Sequence, residues 1–520
     1  MKFKLYMIVL LVLTIGCKKD LLNTIPNDRI TSAIFWIQEK DAVLAANAIY
    51  NYLEGQDIFS WDAMSDVASA NVSFLLESYV EKGIYDALTP LIENKWNNAY
   101  KGIRAANYFL ENVDKVKTTN AQLIPQLKGE VQFIRAYLYL QLVSIYGDVP
   151  LITKTISIDE GFNVTRTEAS LVWDFIDTEF TAAANLLADK SAEKGRASKA
   201  SALAFKARAM LYAKRYEEAA EAAKAMMDLN VSGLSPSYQN LFSYTAENNI
   251  EVLLDKQFVK DVYSNSVFAL LAPYSQTADG SFVPVKKMVD AYEMQNGKKI
   301  TEAGSGFDPI NPYKDRDPRL GYSVFVLGST LPNGTIYDSR PSSGTPDAVA
   351  YRPGSTKTGF NIKKYINKED FSNPRNSGIN IILMRYAEVL LIYAEAKIEL
   401  DQIDATVFKA INDVRQRADV NLPPIAGPKL KEEMREIVRH ERMVELAFEG
   451  QRYFDIRRWG IAQEVMNAPI LGMTYPDNSG NLVTINDPTL RKFDPDRDYL
   501  WPIPQKEINL NKNLNQNPNW

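Results

Sequence analysis

The sequence predicts a mostly α-helical protein, in which about four tetratricopeptide-like helical hairpins stack as a solenoid beside a loop-rich part that carries short strands. Long stretches of the first half place apolar residues at helical spacing. Residues 231–382 then change to a composition rich in Gly, Pro, Ser, Asn and Asp. A further pair of amphipathic segments begins at residue 383. Because one helical hairpin buries little surface alone, we expect the pairs to share a core by stacking.

The first two hairpins are predicted over residues 38–113 and 122–190. In the first, apolar residues that include Trp96 recur at helical spacing. In the second, a long helix is expected to end at Gly147, shortly before Pro150, because these residues are typical helix terminators.

The third hairpin is predicted over residues 197–230, with a turn near residues 214–216. Small Ala207 and Ala219 lie twelve positions apart, which suits the close-packing positions of a tetratricopeptide hairpin. Each helix carries an apolar stripe, formed in the first by Leu203, Ala207, Met210 and Leu211 and in the second by Ala219, Ala222, Ala223 and Met226.

The remaining chain is predicted to hold the loop-rich part and then the fourth hairpin. Short strands are expected at "EVLLDKQF" and "YSVFVL" within residues 231–382. The fourth hairpin is expected over residues 383–419, at the start of a C-terminal region that runs to residue 520. A long loop tract held between rigid helices is a usual place for a functional site. The expected organisation is therefore an N-terminal helical part (17–230), this insertion (231–382) and the C-terminal region (383–520).

The first residues have the layout of a secretory signal. Lys2 and Lys4 precede the apolar run 5–15, and a glycine comes just before Cys17. We therefore expect residues 1–16 to be a signal peptide. The cysteine at the expected cleavage point resembles a bacterial lipoprotein signal, in which the thiol is acylated. Cys17 is the only cysteine of the chain and has no partner for an internal disulfide. The alternative is an ordinary signal peptide with an incidental cysteine.

Composition argues against a nucleic-acid partner. The chain carries 59 basic and 64 acidic residues, for a formal charge of −5. Removing the signal peptide deletes Lys2 and Lys4, which changes the charge to −7. A mildly acidic chain has no overall attraction for a polyanion. Hydrophobic residues make up 46% of the sequence, so a large core is available.

The segment "HERMVELAFEGQRYFDIRRWG" contains a pattern that invites a metal interpretation. His440 is the only histidine, and the helical zinc motif requires a second one at the position of Val444. No metal site is therefore predicted. Glu441, Glu445 and Glu449 instead recur at intervals of four, which favours a hydrogen-bonded charge network that fixes a helix to its neighbours. Four arginines lie in the same segment: Arg442, Arg452, Arg457 and Arg458.

Motifs for catalysis are missing from the sequence. It contains no nucleophilic serine elbow, phosphate-binding loop or dinucleotide-binding glycine pattern. A carboxylate pair for glycoside cleavage stays open, because 64 acidic residues are present and the sequence does not single out two of them.

Several stretches together resemble the SusD/RagB-type nutrient-binding lipoproteins of Bacteroidota outer membranes. The resemblance runs from Cys17 to Trp520 in order and spacing. It is carried by the lipoprotein-like start, "RDPRL" from Arg316, "LMRYAEVLLIYAEA" from Leu383, "ERMVELAFEGQRYFDIRRWG" from Glu441 and the ending "YLWPIPQKEINLNKNLNQNPNW". The ending departs slightly, because Asn519 and Trp520 stand where a glycine and an aromatic residue are more usual.

The resemblance implies a protein that binds oligosaccharides, or in some branches peptides, at the cell surface. Such proteins act as a lid on a SusC-like TonB-dependent barrel transporter in the outer membrane, carry no cofactor and are not enzymes. The family fold has four tetratricopeptide-like hairpins packed under a loop-rich ligand-binding part, in agreement with the pattern above. A peptide-binding or purely scaffolding lipoprotein remains the alternative.

Two loops are the expected source of the ligand contacts, because aromatic residues lie there beside short polar ones. In "GQDIFSWDAMSD" the candidates are Phe59, Trp61, Asp62 and Asp66. In "APYSQTADGSF" they are Tyr274, Gln276, Asp279 and Phe282. The alternative for Trp61 is a place in the core beneath its loop, because tryptophan is often buried.

Overall fold

A computed structural model describes residues 35–520. The predicted signal peptide and Cys17 lie outside these residues. Within 35–520, no helix combines the length and the apolar character required to cross a bilayer.

The predicted mostly helical fold is confirmed. Eight long helices, two in each, form the four predicted hairpins. Their bounds are α1 Glu39–Ile49, α4 Pro90–Asn112, α5 Leu123–Tyr146, α7 Ala169–Leu186, α8 Lys199–Tyr212, α9 Tyr216–Asp228, α13 Tyr386–Glu399 and α14 Ala405–Arg415.

The hairpins stack in chain order. Helix α1 packs against α4 and α5, and each following helix packs on the one before it as far as α9. Helix α9 then packs directly on α13, so the fourth hairpin continues the solenoid although about 150 residues separate the two. Residues 231–385 therefore leave the helical stack and return to it at the same place.

Small residues let these helices approach closely. Ala207 in α8 and Ala219 in α9 are both fully buried, as their spacing predicts. A side chain at Gly102 in α4 would place its Cβ 2.5 Å from Cδ1 of Leu138 in α5 and 2.8 Å from Cγ of Tyr52, so a larger residue would force these side chains to shift. The turn between α8 and α9 lies at Lys214, whose φ of 60° is left-handed.

The other α-helices and sheets of the described residues are one further long helix (α15), nine short helices and four two-stranded sheets, most of them in the loop-rich part and the C-terminal region. The helices are α2 Ile58–Ala63, α3 Leu76–Glu81, α6 Ile158–Gly161, α10 Val267–Leu271, α11 Lys286–Ala291, α12 Pro318–Ser323, α15 Lys431–Glu445, α16 Arg452–Arg458, α17 Ala462–Met466 and α18 Gln505–Leu510. The strands are β1 Ala68–Ala70, β2 Val252–Lys256, β3 Phe282–Pro284, β4 Val324–Phe325, β5 Asn361–Ile362, β6 Ile381–Arg385, β7 Leu471–Pro476 and β8 Leu482–Asn486. The antiparallel pairs are β1–β3, β2–β6, β4–β5 and β7–β8.

Two predicted boundaries differ from the structure. The fourth hairpin begins at Tyr386, because residues 383–385 complete β6 in its pairing with β2. The predicted strand "YSVFVL" is reduced to β4, because Tyr322 and Ser323 still belong to α12. The strand predicted in "EVLLDKQF" is confirmed as β2. The division of the chain at residues 230 and 382 stays a prediction.

The charge network predicted around α15 is present and buried. Glu441 accepts hydrogen bonds from Arg319 (2.5 Å) and Arg415 (2.9 Å). Glu445 accepts from Arg319 (2.9 Å), Arg385 (2.7 Å) and Arg417 (2.8 Å). Burial alone would raise the pKa of Glu445, but Arg417, Arg385 and Arg319 outweigh it and hold that pKa well below its usual range.

This network joins the loop-rich part to the fourth hairpin. Glu449 accepts hydrogen bonds from Arg385 (2.7 and 2.9 Å) and from Lys364 (2.9 Å). Arg385 lies in β6, Lys364 lies in the loop after β5, and Arg319 lies in α12. The carboxylates of Glu441, Glu445 and Glu449 therefore hold three segments that are distant in sequence. The signature stretches that begin at Arg316 and Glu441 therefore have structural roles.

Candidate ligand-binding surface

The two segments that the sequence singled out meet at a small antiparallel sheet. Strand β1 follows "GQDIFSWDAMSD" and pairs with β3, which begins at the candidate Phe282; Ala70 lies opposite Phe282. The backbone N–H of Asn71 then donates to the carbonyl of Ser281 (2.8 Å). The ends of both loops therefore lie side by side.

A third loop, residues 350–357, closes over this junction. The Asn71 side-chain amide donates to the carbonyls of Gly354 (3.2 Å) and Ser355 (3.1 Å), and its oxygen accepts from the backbone N–H of Lys357 (3.0 Å). Gly354 has a φ of +95°, and a Cβ there would lie 3.1 Å from the ring of Tyr274. A glycine is thus needed where this loop crosses the tyrosine.

Aromatic side chains remain accessible where the three loops meet. Phe74 is 77% exposed, Tyr351 is 49% exposed and Tyr274 is half-buried. The Arg352 guanidinium lies between the tyrosines, 5.3 Å from the ring centre of Tyr274 and 4.9 Å from that of Tyr351. Asp279 is exposed nearby and accepts two hydrogen bonds from Arg375. We call Phe74, Tyr274, Asp279, Tyr351 and Arg352 the loop surface.

The loop surface offers flat apolar ring faces beside groups that form hydrogen bonds. Such a combination binds ligands that present both C–H faces and polar substituents. Residues 35–520 contain no group of three or more His, Cys, Asp or Glu side chains placed to hold a metal ion.

Two of the eight predicted contact residues, Tyr274 and Asp279, lie on the loop surface. Gln276 and Phe282 are buried beneath it. The Gln276 side-chain oxygen accepts from the backbone N–H of Asn333 (3.2 Å), and Phe282 lies within β3. These two side chains therefore support the loops from below. A ligand contact through Tyr274 and Asp279 stays a prediction.

The aromatic candidates of the first loop lie in the core, which is the alternative that the sequence left open for Trp61. Helix α2 buries both of them, and Trp61 is 1% exposed. Its indole N–H donates to Glu54 (2.9 Å). Three aromatic rings surround the indole at centroid distances of 5.0, 5.1 and 5.5 Å, namely Tyr453, Phe454 and Trp501. Phe59 packs edge-on against Tyr365.

The acidic candidates of this loop fix α2 to the segment around α16. Asp66 accepts two hydrogen bonds from Arg452 (2.7 and 2.8 Å) and pairs with Lys287 (2.6 Å). Asp62 accepts from the backbone N–H of Gly450 (2.7 Å), and burial raises its pKa to about 7. Both carboxylates are inaccessible to a ligand.

Phe74, Tyr351 and Arg352 were missed by the sequence reasoning. They lie in loops without periodicity, and the contact between these loops depends on Asn71, which is about 280 residues away from Gly354 in the sequence. Two of the three residues could have been found from the sequence, because Tyr351 and Arg352 form an adjacent aromatic–arginine pair inside the Gly- and Pro-rich tract.

Comparison with known proteins identifies the family. The SusD family model matches residues 227–520, which is more than half of the chain. The chain belongs to the SusD family. A second model, described as "Starch-binding associating with outer membrane", matches residues 25–211. The SusD/RagB resemblance of the sequence is therefore confirmed.

Relatives of this SusD-family chain extend over its whole length. The SusD-like protein P2 of Formosa agariphila is 27% identical over 545 residues, which cover 99% of each chain. The crystal structure of a SusD-like carbohydrate-binding protein from Bacteroides fragilis superposes with a TM-score of 0.86 at 31% identity and covers 92% of this chain and 100% of that one. A laminarin-binding SusD-like protein shares the fold, with a TM-score of 0.74 at 21% identity and coverage of 93% and 100%.

Proposed function

We propose that this SusD-family protein binds an oligosaccharide at the loop surface without cleaving it. The observation that carries the proposal is the contact of the Arg352 guanidinium with the rings of Tyr274 and Tyr351, together with the exposed ring of Phe74 in the segment that follows Asn71. A pyranose ring presents an apolar C–H face that packs on an aromatic ring, while its hydroxyl groups bond to guanidinium and carboxylate groups. The carbohydrate-binding description of the Bacteroides fragilis relative supports the same ligand class.

Replacing Tyr351 by alanine should weaken oligosaccharide binding about five-fold, because one aromatic contact of about 1 kcal/mol is lost. Titration calorimetry with laminarin, soluble starch and their short oligosaccharides measures the change. The chain without residues 1–17 is suitable, because it retains every residue that the structure describes. Tyr274→Ala should have a similar effect, and reducing-end assays should detect no cleavage of the bound glycan.

The matched control is Tyr108→Ala, which removes another exposed tyrosine (39%) from α4. It should bind as tightly as the unmodified chain. Equal affinities for the Tyr351, Tyr274 and Tyr108 variants would remove the loop surface from the glycan site. Binding of peptides in place of every glycan would favour the peptide-binding alternative.

We further propose that Cys17 is acylated and anchors the protein in the outer membrane, exposed at the cell surface. There the protein would act as the lid of a SusC-like TonB-dependent barrel and deliver the glycan to it. The charged and apolar leader before Cys17 supports the anchor. The description of the second family model, which refers to the outer membrane, supports the location.

One fractionation experiment tests the anchor and the partner together. The unmodified protein should remain in the membrane fraction after a carbonate wash, because several buried acyl chains anchor stably. A large barrel protein should co-purify with it in mild detergent. Cys17→Ala should leave the membrane fraction almost completely. Full retention of this variant would contradict the anchor, and purification of the unmodified protein alone from glycan-induced cells would contradict the barrel partner.

A further inference from the structure

A polar cleft lies away from the loop surface, where the end of α1 meets the 190–198 loop and the end of β2. It has two adjoining lobes of about 290 and 330 Å³. Each has the size of a small ligand site. Both lobes are lined by Asn51, Leu53 and Lys256. We call this the polar cleft. The first lobe is also lined by Asn47, Lys194, Asp255, Gln257 and Tyr263, and the second by Gln56, Asp57, Asn98, Phe258 and Asn265.

A stacked pair of rings separates the two lobes. Phe258 and Tyr263 lie parallel, with centroids 5.2 Å apart and an interplanar angle of 7°. The chain reverses between them, because Val259 and Tyr263 exchange two backbone hydrogen bonds of 2.9 Å. Phe258 packs against Gly55, where a Cβ would come within 3.0 Å of its ring. Phe258 is therefore packed between Gly55 and Tyr263, while the Tyr263 ring remains 46% exposed.

Several polar groups of the polar cleft have hydrogen-bonding capacity left. The Lys256 ammonium donates to the carbonyls of Asn51 (3.1 Å) and Leu53 (2.6 Å), and it forms no ion pair with any residue of 35–520. One of its three N–H groups therefore remains available. The side-chain amides of Asn51 and Asn98 are exposed and bond to no other group in the described part of the chain.

The balance of charges favours a neutral ligand. The lining of the polar cleft carries nearly equal numbers of opposite charges: four acidic residues (Glu54, Asp57, Glu193 and Asp255) and three basic ones (Lys194, Arg196 and Lys256). The buried carboxyl of Asp255 accepts a hydrogen bond from Gln257. Burial raises the pKa of Asp255 to about 6. Amide donors, carbonyl-type acceptors and an exposed tyrosine face together suit a molecule with many hydroxyl groups and an apolar ring face.

We propose that the polar cleft is a second saccharide site, in which a sugar ring stacks on Tyr263 and bonds to Asn51 and Lys256. The inference rests on the proposed function only for the ligand class. The two sites share a structural connection: Asn265 of the cleft exchanges backbone hydrogen bonds with Ser377 (2.8 and 2.9 Å), two residues from the Arg375 that binds Asp279. A glycan long enough to reach both sites is then held twice, which raises its apparent affinity.

The test compares Tyr263→Ala with Tyr351→Ala, the double variant and the control Tyr108→Ala, each in the chain without residues 1–17. Short oligosaccharides of laminarin and starch are titrated for stoichiometry, and the parent polymers for affinity. We expect two sites per chain in the unmodified protein and in the control. In Tyr263→Ala the cleft should bind the oligosaccharide about five-fold more weakly. Polymer affinity should fall by up to about five-fold in either single variant and by up to about 25-fold in the double variant, because the affinity of simultaneous binding is proportional to the product of the two site affinities.

The outcomes separate the two proposals. One site per chain that is weakened by Tyr351→Ala and unaffected by Tyr263→Ala overturns the second site and leaves the proposed function standing. Binding that is weakened only by Tyr263→Ala supports the cleft and contradicts the loop surface. Crystals soaked in concentrated glucose give a second measurement, which does not depend on the linkage of the glycan. Density against Tyr263 supports the proposal, and an empty cleft at saturating sugar overturns it.

Discussion

Replacing Glu445 by alanine is expected to destabilise the protein by about 3–5 kcal/mol. The carboxylate is fully buried and accepts hydrogen bonds from Arg319, Arg385 and Arg417. Without it, three buried guanidinium groups lose a shared counter-charge, and water cannot replace it. Urea unfolding followed by circular dichroism measures the loss.

Glu433→Ala is the matched control, because Glu433 lies on the same helix and pairs with Lys429 at the exposed surface. Exposed pairs of this kind contribute about 0–1 kcal/mol, so this variant should unfold close to the unmodified protein. A similar midpoint for the two variants would mean that the buried network contributes no more than a surface ion pair.

The network also indicates what a sequence can predict. The spacing of Glu441 and Glu445 was sufficient to predict one acidic helix face, because residues four apart lie on the same side of a helix. Glu449 joins them from the turn after α15, which ends at Glu445. Their partners could not be predicted, because Arg319 and Arg385 come from segments that meet the helix only in the folded chain.

Local periodicity explains why the helical hairpins were predicted well. Ala207 and Ala219 have a spacing that is visible in sequence, and both are buried as expected. The start of the fourth hairpin was misplaced, because apolar Leu383 and Met384 suit either a helix or a strand and pairing with β2 decides between them. The hydrogen bonds between β6 and β2 therefore decide where the strand ends and the helix begins, and a local sequence pattern contains no information about them.

The candidate site was predicted only in part for a related reason. Aromatic residues in loops have no periodicity that separates a buried ring from an exposed one. In the sequence, Trp61 and Tyr274 are both loop aromatics beside short polar residues. In the structure, α2 places Trp61 in the core, whereas Tyr274 lies against Gly354 and stays half-exposed. Phe74 lies three residues after Asn71, whose side chain binds the 354–357 segment, a contact over about 280 residues.

Trp61→Ala should therefore be a stability variant. Its indole is 1% exposed, donates a hydrogen bond to Glu54 and lies under the Lys95 ammonium, 4.7 Å from the ring centre. Truncation of a buried tryptophan leaves a large cavity and costs about 3–5 kcal/mol. The partners of the indole would also lose contacts, because Lys95 and Glu54 are paired beside it.

Thermal unfolding and glycan titration distinguish the two roles of Trp61. We expect a markedly lower melting temperature for Trp61→Ala, while the folded protein binds glycan with unchanged affinity because the loop surface does not include Trp61. Phe74→Ala is the opposite control: its ring is 77% exposed, so the melting temperature should stay the same while glycan binding weakens. An unchanged melting temperature together with weaker glycan binding for Trp61→Ala would instead place Trp61 in contact with the ligand, and the core role derived from its burial would be wrong.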